Sequence, residues 1–160
     1  MRLTKAGDYA MRGLIYLARR PQGEFSLVGN IAAAMEVPES FLAKIFQNLA
    51  RAGLVRSNRG YGGGYCLARP AAAITLLEVI ECVEGPIVFN DCTDPHAAED
   101  ETMACTSACG AQGVWQEVQE AVRAILEKKT MDELAATAAL PGSVAQPITL
   151  GPRRFARPGR

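Results

Sequence analysis

Apolar residues recur at helical spacing from the start of the chain. Ala6, Ala10, Leu14 and Leu17, with Met11 and Ile15 beside them, share one face and predict a helix over residues 4–20. Pro21-Gln22-Gly23 ends it. Leu27, Val28, Ile31, Ala32 and Met35 predict a second, short helix with Ser26 as its N-cap. Val37-Pro38-Glu39 is a break, and Pro38 suits the first turn of a third helix that runs to about Ala52 and stops at Gly53. Phe41, Leu42, Ile45, Phe46 and Leu49 supply its apolar side.

The period then changes. Leu54-Val55-Arg56-Ser57 reads as a short strand, Gly60 to Gly64 as a glycine-rich tip and Tyr65-Cys66-Leu67 as the returning strand, closed by Pro70. Thr75 caps a further helix, Leu76 to about Glu84, which Gly85-Pro86 ends. Residues 86–110 show no periodicity, and a loop of that length is usually functional or disordered. A long helix follows from about Val114 to Lys129, with Trp115, Val118, Val122 and Ile125 as an apolar stripe suited to helix–helix packing. Thr130-Met131-Asp132-Glu133 reads as a capping box for a last short helix. Three helices followed by a hairpin are the plan of a winged helix-turn-helix. The expected fold is mainly α with a small β-hairpin wing. Its expected units are the winged domain 1–70, a cysteine-loop and dimerisation region 71–140, and a disordered basic tail 141–160.

Charge sharpens this picture. The formal net charge is zero, yet residues 1–70 carry ten Lys/Arg against four Asp/Glu, a balance of +6. Residues 71–140 carry three against thirteen, a balance of −10, and residues 141–160 add four arginines. A basic front half suits a polyanion such as DNA. On the third helix Ser40, Lys44, Gln47 and Arg51 follow one another at 4, 3 and 4 and share one face, opposite the apolar side. Such side chains donate to phosphates and to base edges in a major groove, although a solvated helix face has the same pattern. Arg56, Arg59 and Arg69 flank the glycine tip, where an arginine suits a minor groove. The tip is not a phosphate-binding P-loop, because no Gly-Lys-Ser/Thr follows and no helix opens after Gly64. With one histidine, no nucleophile elbow and no paired acids in a glycine-rich pocket, the chain offers no catalytic constellation. No run of about 18 apolar residues predicts a membrane span, and no apolar segment follows the first residues as in a signal peptide, so a cytoplasmic location is expected.

Five cysteines, an odd number without a secretion signal, point to metal or redox chemistry rather than a disulfide framework. Cys92, Cys105 and Cys109 have the form C-x12-C-x3-C in the aperiodic segment. Thiolates at short spacing can hold zinc or an iron–sulfur cluster; on the residues alone zinc is the favoured ligand, with a reduced, metal-free loop the other reading. Cys66 and Cys82 fall in regular elements and read as small buried hydrophobes.

The chain also resembles a known family. Met1-Arg2-Leu3-Thr4 with Asp8-Tyr9-Ala10, Ser40-Phe41-Leu42-Ala43-Lys44-Ile45, Gly53-Leu54-Val55 and above all Arg59-Gly60-Tyr61-Gly62-Gly63-Gly64-Tyr65 are similar to the winged-helix regulators typified by IscR, NsrR and RirA. The resemblance covers about residues 1–135. It implies a transcription regulator, most simply a repressor, that binds a palindromic double-stranded DNA operator as a homodimer through the long helix. It also implies a [2Fe-2S] or [4Fe-4S] cluster on the three loop cysteines, whose redox, nitric-oxide or iron status alters DNA binding. The first cysteine gap is longer, and the second shorter, than is usual in the family. Trp115 matches the tryptophan of the family's helix after the cluster, which aligns Cys109 with the last thiolate ligand. IscR-like members place a histidine where this chain has Gln112; NsrR-like members use an aspartate of the first helix, which Asp8 matches. Asp8 is therefore the preferred fourth ligand and His96 the alternative. Two other readings stay open: a cluster-free winged-helix regulator sensing by thiol oxidation or a small ligand, and a zinc-stabilised interaction module.

Overall fold

The computed structural model describes residues 3–60, 63–89 and 111–138. The order is α1 (Lys5–Ala18), α2 (Val28–Met35), α3 (Glu39–Arg51), β1 (Val55–Asn58), β2 (Gly64–Leu67), α4 (Leu76–Glu84), α5 (Gln112–Glu127) and α6 (Met131–Thr137), with a single 3-10 turn at Ala71–Ala73. This is the mainly helical, winged architecture expected. Cys92, His96, Cys105, Cys109 and the tail 141–160 lie outside the described residues.

Helix α1 is the hub, packing against α2, α3, α4 and α6. Its core stripe is Ala10, Leu14 and Leu17, all buried. Thr4 caps it, its Oγ1 accepting from the Ala6 and Gly7 amides at 3.1 and 3.4 Å. Leu42, Ile45, Phe46 and Leu49 of α3 drive into the same core. The helix ends in a Schellman arrangement, with the Gly53 amide donating to Ala50 O and the Leu54 amide to Leu49 O. Gly53 takes φ +73°, so the chain reverses there and enters the wing without strain.

β1 and β2 pair antiparallel, Val55 opposite Leu67 and Asn58 opposite Gly64. Ser26 does not cap α2: its amide and carbonyl pair with the carbonyl and amide of Tyr65, both at 2.9 Å. Its backbone is thereby committed to the wing, and α2 starts at Val28 without a side-chain cap. Pro38 likewise stands one residue before α3, as its N-cap. The capping box predicted at Thr130 is not formed, because that segment pairs with Thr75 and the Thr130 hydroxyl donates to Asp132 instead. A full capping box occurs at Thr75–Glu78, at the start of α4.

The apolar stripe expected on α5 divides in two. Val122 and Leu126 pack inward on Leu77, Ile80 and Ile87. Val114, Val118 and Ile125 remain 58%, 36% and 62% exposed and Trp115 is 37% exposed. Val114, Val118, exposed Ala121 and Ile125 therefore form the outward line, at spacings of 4, 3 and 4. Among the described residues no helix is long and apolar enough to cross a membrane.

Gly13 of α1 faces the Phe46 ring, and a Cβ there would stand 2.5 Å from Phe46 Cε2. The ring is wholly buried and has nowhere to retreat. Gly13→Val is expected to cost at least about 1–3 kcal/mol through overpacking. Gly113→Ala, with nothing within 4 Å, should leave stability unchanged or slightly raised. Urea midpoints at constant m-value check both.

Candidate nucleic-acid interface

The polar face of α3 is fixed from behind. Leu42, Ile45, Phe46 and Leu49 hold the helix in the core, so Ser40, Lys44, Gln47 and Arg51 all stand exposed on the other side. Phe46 also meets Tyr65 of β2 edge-on, with ring centroids 4.9 Å apart. That contact sets the distance between α3 and the wing. Between them opens a cleft of about 510 Å³, onto which Gln47, Arg51, Ser57, Asn58, Arg59 and Tyr65 converge. The structure thus brings Gln47, Arg51 and Arg59 together. Lys44 does not reach this cleft but lines a second one, towards α1. Arg56 is exposed on β1 and lines neither.

The wing's shape depends on its glycines. Gly64 has φ +134°, and a Cβ on it would strike the Ser26 carbonyl, the group that Tyr65 N–H bonds. Gly60 has φ +104° at the turn beside Arg59. The Gly63 amide donates to Gly60 O at 2.9 Å, closing the hairpin just after Arg59.

Electrostatics separate the basic residues of the front half into two sets. Arg12 pairs with Asp8, Arg20 with Glu24 and Arg69 with Glu78. Arg19 donates to the Ala135 and Ala138 carbonyls, fastening α6 to α1. Lys5, Lys44, Arg51, Arg56 and Arg59 make no ion pair among the described residues; Arg51 donates only to Asn48 Oδ1 at 3.0 Å. The uncompensated positive charge lies on α3, the wing and the start of α1. Arg69, which the sequence grouped with the wing arginines, is a structural residue. Burial works against the charge of its partner Glu78. The Thr75 amide and the Arg69 guanidinium outweigh it and hold the Glu78 carboxyl below the ordinary range.

Sequence reasoning missed Ser57, Asn58 and Tyr65 as cleft residues. Their signal was present: two polar residues end β1 directly before Arg59, and Tyr65 pairs with Ser57 across the hairpin. Phe41 shares the apolar spacing of α3 yet is 61% exposed.

For the metal-ligand set, only Asp8 lies among the described residues. Its half-exposed carboxylate sits in the first turn of α1, one oxygen 3.0 Å from Arg12 Nε. Paired on one side and open to water, it is chemically fit to lend an oxygen to a metal. No group of three or more His, Cys, Asp or Glu able to hold a metal occurs among the described residues. Cys66 is buried in β2 and Cys82 partly buried on α4, where burial pushes its thiol up and keeps it protonated near neutral pH.

The Rrf2 family model, described as an iron-dependent transcriptional regulator, matches residues 3–137. An HTH-type transcriptional regulator of Mycobacterium tuberculosis is 35% identical over 146 residues, covering 91% of this chain and 88% of the relative. The regulator NsrR of Bacillus subtilis is 32% identical over 134 residues, 84% of this chain and 90% of its own. The solved structure of CymR, the global cysteine regulator of Bacillus subtilis, superposes with a TM-score of 0.68 at 28% identity, covering 87% of this chain and 99% of that one.

Two arginines should separate by salt dependence. Arg59→Ala is expected to reduce the slope of log affinity against log salt by about one, as for a lost phosphate contact. Arg69→Ala should leave the slope unchanged and lower stability instead. Filter binding of a DNA duplex across a salt series reads the first, thermal unfolding the second.

Proposed function

The chain belongs to the Rrf2 family of transcriptional regulators, and on that premise we propose that it is a homodimeric repressor that reads a palindromic operator through Ser40, Lys44, Gln47, Arg51, Arg56 and Arg59, under the control of an iron–sulfur cluster held by the 92–109 loop. The observation that carries the DNA reading is the convergence of Gln47, Arg51 and Arg59 on one cleft lined by no acid. Lys44, Gln47 and Ser40 enter the major groove, and Arg59 reaches the neighbouring minor groove or phosphates.

The dimer follows from α5. Its outward line, Val114, Val118, Ala121 and Ile125, is an exposed apolar ridge on a helix otherwise held by α4. A like ridge on a second copy buries it isologously, and a two-fold pair presents two wings to two half-sites.

Control runs through α4. At its start Glu78 holds Arg69 at the exit of the wing; in its middle Glu81 holds Arg123 of α5. At its end the Glu84 carboxylate accepts from the Thr4 amide and hydroxyl at 3.0 and 2.7 Å, gripping the cap of α1. Residues 86–111 leave from this last turn and return to α5. A change in that segment therefore acts on the helix that braces both α1 and the wing. Cys92, Cys105 and Cys109 would hold the cluster, with Asp8 of this chain or its partner as the fourth ligand and His96 as the alternative. A bound [2Fe-2S] or [4Fe-4S] group supplies a redox- and nitric-oxide-reactive centre. The family's description as iron-dependent supports this reading; the similarity to a cysteine regulator favours, as second reading, direct thiol sensing without metal.

Anaerobic purification separates the two. A brown protein with iron and sulfide in each chain is expected, lost in Cys92→Ala, Cys105→Ala or Cys109→Ala and kept in Cys66→Ala and Cys82→Ala. A colourless protein whose DNA binding responds to peroxide selects the thiol reading. Ile125→Glu, which buries a charge in the proposed seam, should sediment as a folded monomer and lose operator binding. A fully dimeric Ile125→Glu protein contradicts the seam.

A further inference from the structure

A second cleft, of about 600 Å³, opens between the start of α1, the first half of α3 and the last turn of α4. Its walls are chemically divided. Ile45 is buried, Tyr9 and Val83 are partly buried, and Phe41 stands 61% exposed at the mouth. Lys5 and Lys44, both exposed and neither in an ion pair among the described residues, complete the lining from opposite helices. The nearby carboxylate of Glu84 is engaged by the Thr4 amide and hydroxyl. The volume falls in the range of small-molecule sites, and an apolar cavity with a few convergent polar groups is their usual form.

We propose that this cleft is an effector site for a small amphipathic carboxylate, its aromatic or short acyl body lying over Phe41, Ile45 and Val83 and its charge between Lys5 and Lys44. The choice of an anion rests on charge complementarity: two ammonium groups border one apolar surface and outnumber the single nearby carboxylate, Glu84, whose Thr4 donors are neutral. Phe41 and Lys44 also belong to the DNA-reading helix. An occupied cleft withdraws Lys44 from the groove, so ligand and operator exclude each other. For strict exclusion, ligand at ten times its dissociation constant weakens operator affinity about elevenfold. The competition rests on the DNA-reading role proposed above; the cleft's affinity for the anion does not.

The test uses the full chain and 8-anilinonaphthalene-1-sulfonate, a fluorescent amphipathic monoanion, followed by displacement with octanoate and phenylacetate. Saturable binding, displaced by at least one carboxylate, is expected. Ala6→Leu, which fills the cleft from α1, and Lys5→Glu, which reverses its charge, should each weaken it tenfold or more with unchanged circular dichroism. Ala6→Leu should still shift the operator when no ligand is present, but should no longer respond to the carboxylate. Three results overturn the proposal. One is probe binding indifferent to both variants, as it would be on the α5 ridge. Another is an absence of saturable binding. The third is a photo-crosslinker at position 41 that captures a second copy of the chain, which would make the cleft part of an interface. If operator shifts fail in every variant and without ligand, the DNA reading falls while the fluorescence result stands on its own.

Discussion

The ring of Phe46 is wholly buried, with the bare backbone of Gly13 beneath it and the edge of Tyr65 against it. Three elements meet on this one side chain: α1, α3 and the wing strand β2. A ring of that size in a close-packed interior admits few arrangements of its neighbours. With α3 seated on α1, its polar side must face solvent. With β2 seated on the same ring, the wing must flank the last turns of α3. The cleft that gathers Gln47, Arg51 and Arg59 is a consequence of this packing. None of those three residues helps to hold it open.

A second constraint lies in α4. It is short, yet its carboxylates reach outward at the start, middle and end: Glu78 to Arg69, Glu81 to Arg123, Glu84 to Thr4. Exposed pairs of this kind add little stability singly. Their placement matters more, since each ties α4 to a different element. The segment bearing the three cysteines follows α4 in the chain, and α4 packs against α1, α3 and α5. Under the proposed control, an event in that segment would reach α1 through Glu84 and the exit of the wing through Glu78.

Much of this was legible in the sequence because period and punctuation agree. The stripe of α1, the apolar side of α3, the glycine stop at Gly53 and the hairpin around Gly64 all follow from local rules. The exceptions are residues whose backbone or charge is claimed by a distant partner. Ser26 has the composition of a cap but spends its amide and carbonyl on Tyr65. Thr130 opens a capping-box sequence but lies against Thr75. Arg69 resembles its neighbours Arg56 and Arg59 until Glu78, nine residues on, is seen to hold it. On α5, Val122 and Val118 look alike in the sequence; only the position of α4 makes one a core residue and the other part of a ridge. The second cleft left no trace in the pattern, because its residues come from three helices.

The central claim is that the exposed side of α3 and the wing read DNA as a two-fold pair. Chemical footprinting on an operator selected from random duplexes by the protein tests it directly. Guanine-N7 methylation protection reports the major groove, and hydroxyl-radical cleavage reports the backbone. The account predicts two symmetric patches of major-groove protection, centred one helical turn or a whole multiple of a turn apart, each with backbone protection beside the adjoining minor groove. A single unsymmetric patch, or protection that persists unchanged when Lys44, Gln47 and Arg59 are all alanine in a folded protein, would contradict it.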